Sequence, residues 1–181
     1  MSKTTWKIDE LHSDVQFRIK HLVISTVTGS FSKFSAEAET NGDEFEGGKI
    51  SFTADVNSIA TGSEQRDGHL KSADFFDTAN HPTLDFISTK VEKAGEGNYK
   101  IHGNLTMRGV TKPVVLEAEA GGIAKDPYGN IKSGFEVKGK INRSEFGLTW
   151  GAVTEAGGVV LGDEVKIAAN VQMVKMVEAT A

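Results

Sequence analysis

The chain has no cysteine, only three prolines in 181 residues, and no apolar run near the roughly 20 residues that a membrane-spanning helix needs. Without thiols there can be no disulfide, no thiolate zinc site and no cysteine nucleophile, and the redox compartment leaves no mark. Positive charge is also short: 20 Lys and Arg stand against 25 Asp and Glu, a formal net charge of -5. The two signs are interspersed, so no basic stripe exists for a phosphate backbone, and nucleic acid is set aside as a partner. The Gly-x-Ser-x-Gly elbow of serine hydrolases and the Gly-x-x-x-x-Gly-Lys-Ser/Thr phosphate loop are both missing. The first residues carry no apolar stretch of signal-peptide length, so the sequence reads as unexported and cytoplasmic.

What the chain does have is glycine, 20 residues of it, placed between short alternating apolar runs. Val15, Phe17 and Ile19 alternate with Gln16, Arg18 and Lys20, the signature of a half-buried antiparallel strand. Ile50, Phe52, Ala54 and Val56 share one parity, as do Tyr99, Ile101, Gly103, Leu105 and Met107. Val114 to Ala120, Phe135 to Ile141 and Val165 to Met173 repeat the pattern, and Leu84 and Phe86 follow His81-Pro82. Turn chemistry at Asn41-Gly42-Asp43, Gly95-Glu96-Gly97-Asn98 and Asp126-Pro127-Tyr128-Gly129 separates these runs. The expectation is one domain over residues 1–181 and an all-β fold of about eight antiparallel strands, closed as a barrel or split into a sandwich. Small inward residues, Ala54, Gly103, Ala118, Gly139 and Ala169, favour a hollow barrel; they serve equally to make room for bulky neighbours.

Thr61 to Asp77 breaks the β pattern. Thr61 and Glu64 have the spacing of a capping box, and the helical period runs to about Ser72. Arg66 and His69, three apart, share a face, while Asp67 and Lys71, four apart, can pair. Facing inward, Arg66 and His69 would give an apolar tunnel a polar mouth; paired with barrel carboxylates, they would fasten the helix. The five histidines, at 12, 21, 69, 81 and 102, never fall at i, i+2 or i, i+4, so no metal site is read from spacing, and no cofactor is expected.

In order along the chain stand Leu11-His12-Ser13-x-Val15-x-Phe17, Lys20-His21-Leu22, Ser25-Thr26-Val27-x-Gly29-x-Phe31 and Ser58-Ile59-x-Thr61. Arg66-Asp67-x-His69-Leu70-Lys71-Ser72-x-Asp74-Phe75-Phe76-Asp77, Pro82-Thr83-x-x-Phe86, Gly103-x-Leu105-Thr106-x-Arg108-Gly109-Val110-Thr111-Lys112-Pro113-Val114 and Arg143-Ser144-x-Phe146-Gly147-Leu148 complete the series. With these motifs the chain resembles, over nearly its whole length, the YceI-like family of polyisoprenoid-binding, lipocalin-like proteins. The resemblance implies an extended eight-stranded antiparallel barrel enclosing a long isoprenoid chain, often in a dimer, with no established catalytic activity. Family members are often exported, whereas the opening residues of this chain lead to the expectation of a cytoplasmic protein.

Carried onto this sequence, the inward parities nominate Phe17, Ile19, Phe52, Val56, Phe86, Leu105, Phe135 and Trp150 as tail contacts, with Phe75 and Phe76 near the helix. Arg66, His69 and His12 would select the headgroup, of quinone or polyprenyl diphosphate type. The leading expectation is a non-catalytic carrier or store for such a lipid. The competing one is an enzyme acting on the lipid through His12, Asp67 and His69, and it requires those three to converge.

Overall fold

The computed structural model describes residues 3–21, 24–148 and 161–176. It contains eleven antiparallel strands: β1 (Lys3–Ile8), β2 (Asp14–His21), β3 (Ser25–Phe31), β4 (Phe34–Asn41), β5 (Glu44–Asp55), β6 (Ile59–Ala60), β7 (Thr83–Lys93), β8 (Asn98–Met107), β9 (Val110–Lys125), β10 (Ile131–Asn142) and β11 (Leu161–Lys175). One helix, α1 (Glu64–Lys71), interrupts the series.

Eleven strands build an eight-membered barrel because the first six are three long strands, each broken once. β1 and β2 lie end to end along β11, with Trp6 opposite Lys175 and Ile19 opposite Val165. The break between them is a short 3-10 turn, Glu10–His12, capped by Asp9, whose carboxylate accepts the Leu11 N–H. β3 and β4 run back along β2 and β1, broken at Ser32-Lys33. β5 and β6 form the third such pair, joined by a 3-10 turn, Val56–Ser58. The ring β1-β4-β5-β7-β8-β9-β10-β11 then closes through the β1–β11 pairing. Closure removes the free sheet edges everywhere but along one joint, which is how an antiparallel barrel limits edge-to-edge association.

The wall has one incomplete seam. β5 and β7 pair only from Ser51 opposite Ile87 to Asp55 opposite Thr83. Beyond that the strands are held by side chains: the Ile50 N–H donates to Ser88 Oγ at 2.8 Å and the Lys93 N–H to Glu46 Oε2 at 2.9 Å. A surface groove of about 870 Å³ follows the divergence, and Ala38, Ile50 and Val91 line both it and the barrel interior.

Bulges explain where simple alternation fails. The β4–β5 register shifts between Glu39 and Asn41, next to Gly47-Gly48, so Phe45 and Ile50 face inward despite opposite parity. The β7–β8 register shifts between Ser88 and Lys90, which likewise brings Phe86 and Val91 to one side. A β-bulge adds one residue to one strand and so inverts the inside–outside assignment beyond it.

The inward glycines are filled spaces. A Cβ on Gly103 would lie 2.5 Å from Phe86 Cζ, one on Gly139 2.4 Å from Leu116 Cδ2, and one on Gly29 2.2 Å from Phe17 Cζ. Ala54 is fully buried in packed core. Of the small residues expected to hollow the barrel, Gly103 and Gly139 therefore seat neighbouring side chains. Ala118 and Ala169, with Ala36 and Ala38, line the open interior.

Candidate functional site: an apolar cavity with one polar end

The interior holds a cavity of about 640 Å³, lined by inward side chains of all eight long strands and by residues of α1 and the loop after it. At one end the hairpins β4–β5, β7–β8 and β9–β10 meet. There Phe45 and Phe135 approach to a ring-centroid distance of 4.7 Å and Tyr99 lies 6.5 Å from Phe135. Trp6, fully buried, backs Phe45 at 5.1 Å, and its Nε1–H donates to Thr40 Oγ1 at 2.9 Å. The Tyr99 hydroxyl donates to Glu44 Oε1 at 3.2 Å; burial, and then the Glu44 charge, push its pKa up, so it stays neutral. This end is an aromatic floor.

The opposite end is polar and carries α1. Ser63 caps the helix, its hydroxyl accepting the Arg66 N–H at 3.3 Å, so the cap lies two residues beyond the expected Thr61. Thr61 has a different task. Its N–H and hydroxyl both donate to Asp67 Oδ1, at 2.9 and 2.6 Å, while Arg66 Nε and Nη2 donate to Thr61 Oγ1 and O. Asp67 is thus engaged with Thr61 in place of the expected Lys71 partner. His69 Nε2 stands 2.9 Å from Asp74 Oδ2, and its ring meets Phe75 edge-on at 5.1 Å. Leu70, Phe75 and Phe76 turn inward, with Phe76 6.4 Å from Phe31. Arg108 locks the loop behind them, donating to Ala73 O at 2.8 Å and to Gly147 O.

Thr61, Ser63, Gln65, Arg66 and His69 therefore put hydroxyl, amide, guanidinium and imidazole groups on one rim of the cavity. A second arginine lies deeper. Arg143 is 7% exposed and also lines the cavity; its Nε donates to Gly162 O and its Nη1 to Leu148 O. Burial pulls its pKa below the ordinary arginine value, with the Asp163 charge opposing.

Of the nominated contacts, Phe17, Ile19, Phe52, Phe75, Phe76, Phe86, Leu105 and Phe135 line the cavity, as do Arg66 and His69. Val56 does not. The β5 parity ends at Asp55, and Val56 opens a 3-10 turn that packs it at 1% exposure among Phe31, Phe34, Ala54 and Ile59. His12 is also outside the lining: it sits in the turn between β1 and β2, exposed, with Nδ1 2.8 Å from Asp9 Oδ2. Trp150 lies outside the described residues. His12, Asp67 and His69 are engaged with three separate partners, Asp9, Thr61 and Asp74. Among the described residues no three His, Asp or Glu side chains cluster as metal ligands would. Phe45, Tyr99 and Arg143 were not nominated: the bulge hides Phe45, Tyr99 shares the inward parity of Leu105 but was left out of the contacts drawn from it, and nothing local marks Arg143 as a cavity residue.

A closed antiparallel barrel with aromatics at one end, polar groups rimming the other and a cavity between is a lipocalin-like barrel. The YceI-like domain matches residues 6–173, and the chain belongs to that family. A UPF0312 protein of Staphylococcus aureus (strain USA300) is 36% identical over 170 residues, 93% of this chain and 96% of that one. Among solved structures, the Campylobacter jejuni YceI protein superimposes with a TM-score of 0.74 at 35% identity, over 88% of this chain and 91% of that one. A polyisoprenoid binding domain from Saccharophagus degradans shares the fold, with a TM-score of 0.65 at 16% identity over 94% and 98% of the two chains.

Proposed function

We propose that this protein binds a long-chain isoprenoid or similar amphiphile without chemically altering it, the tail inside the barrel and the headgroup at the Thr61–His69 rim. One observation carries the reading: an apolar cavity of about 640 Å³ whose polar lining gathers mainly at one end. At the ~30 Å³ that a water-sized group occupies, the space takes about 20 carbons. Each buried methylene contributes roughly 0.8 kcal/mol, so such a tail outweighs the cost of immobilising it without any specific polar contact. Arg66 and Arg143 suit an anionic or carbonyl headgroup, a diphosphate or a quinone. A container role, carriage or storage, fits the dispersal of His12, Asp67 and His69, which are engaged separately with Asp9, Thr61 and Asp74. The polyisoprenoid binding domain of S. degradans lends the reading the support of a shared fold.

The test is to purify the protein without detergent, compare its native and denatured masses, and identify what organic solvent extracts. A prenyl lipid near one per chain supports the proposal. Protein that is empty and takes up neither prenols, quinones nor polyprenyl diphosphates refutes it.

A further inference from the structure

We infer that the aromatic floor of the barrel measures the tail: Phe45, Tyr99 and Phe135 fix the longest chain that gains affinity from further length. The inference rests on the isoprenoid reading above and adds to it which residues set the chain length.

The two ends of the cavity differ in how they are closed. The helical end carries the polar rim at which the proposed headgroup sits, so length in excess of the cavity leaves on that side. The floor is layered. Phe45, Tyr99 and Phe135, with Met173 beside them, form the lining at this end, and Trp6 packs behind with no exposed surface. Thr40, 2% exposed, anchors Trp6 and in turn donates to Gly42 O at 2.7 Å, while Tyr99 is tethered to Glu44. Phe45 and Phe135, packed between Trp6 and Tyr99, whose own rings are tethered by hydrogen bonds, do not swing aside as a lone side chain would. A tail entering from the rim therefore stops at the floor, and carbons beyond about four isoprene units stay in water. Val171 belongs to the same lining: it is paired with Phe135 across β10 and β11 and lines the cavity.

The experiment measures the affinity of delipidated protein for a ladder of prenols, each longer than the last by one isoprene unit. For the natural chain, each unit up to about the fourth should tighten binding at least about tenfold, and later units less than about twofold. Phe135→Ala removes about six ring carbons from the floor, and the break should move about one unit longer. Val171→Phe adds about four carbons to the same lining, and the break should move about one unit shorter. The second variant leaves no hole, so it decides the matter should the first fail to fold. Affinity that keeps rising with length in the natural chain overturns the floor as a measure while leaving the isoprenoid reading intact. A break that neither variant moves overturns the assignment to these residues. Failure to bind any prenol overturns the proposed function itself.

Discussion

Replacing Ala169 by Phe is the sharpest check on whether the barrel is hollow, because the sign of the stability change depends on the answer. Ala169 sits near the middle of β11, between Val15 of β2 and Val137 of β10, and its methyl group faces the cavity. The substitution adds about six carbons. In a filled core it would overpack and cost about 1–3 kcal/mol. In a cavity of about 640 Å³ the ring takes roughly 180 Å³ of vacant space, at the ~30 Å³ a water-sized group occupies. Burying a phenyl group there contributes about 1.5–3 kcal/mol, less roughly 1 kcal/mol for ordering it. The delipidated variant should therefore gain about 0.5–2 kcal/mol, and for a chain of this length its Tm should rise by about 1–8 °C. The same ring excludes about six tail carbons, so prenol binding should weaken by up to about 5 kcal/mol. Calorimetry on delipidated protein, with lipid titration of the same sample, measures both. A fall in Tm with undiminished lipid uptake would refute the reasoning.

Three further outcomes follow from the geometry. Asp67→Ala should free Thr61 and speed amide exchange across α1, at a cost of about 1–3 kcal/mol, while Asp67→Asn keeps an acceptor oxygen and should cost less; equal losses in the two would argue against this role. Arg108→Met removes the donors to Ala73 O and Gly147 O, and should destabilise by about 2 kcal/mol, with the 72–77 loop the first region to lose exchange protection. Asp9, hydrogen-bonded to Lys132, is held at a pKa of about 2 against its ordinary 3.8. Because the folded-state pKa is depressed, this contribution is complete above about pH 4 and is lost as pH falls towards 2. Urea midpoints across that window should fall less steeply for Lys132→Met than for the natural chain; identical slopes would remove the pair from the account.

The barrel was legible because alternation is a local signal and eight long strands repeat it. Its failures mark places where distant geometry intervenes. Val56 continues the parity of Phe52 and Ala54 on paper, but the chain turns at Asp55 to re-enter the wall as β6, and no residue type announces that. Phe45 escaped notice because a bulge inverts the pattern, and a bulge is defined by the partner strand. The helix at 64–71 was visible in its polar pattern, but the choice between Thr61 and Ser63 as cap was not, since both carry hydroxyls. Asp67 selects between them by taking Thr61 for itself. The hollowness was only half legible: an inward glycine in a sequence looks like vacant space until Phe86 or Leu116 is found lying over it.

The unfinished seam between β5 and β7 gives the barrel an adjustable girth. A cylinder whose staves are joined along their whole length by backbone ladders has a circumference set by strand number and stagger. Here one joint is stitched over half its length by two side-chain acceptors, Ser88 Oγ and Glu46 Oε2. Each stitch is worth about 0.5–1.5 kcal/mol, so letting out the waist of the barrel beside Ile50 and Val91 costs about 1–3 kcal/mol and spares every ladder bond. Branched or kinked chains, thicker than a straight alkyl tail, would be accommodated by that slack, with the aromatic floor left where it is.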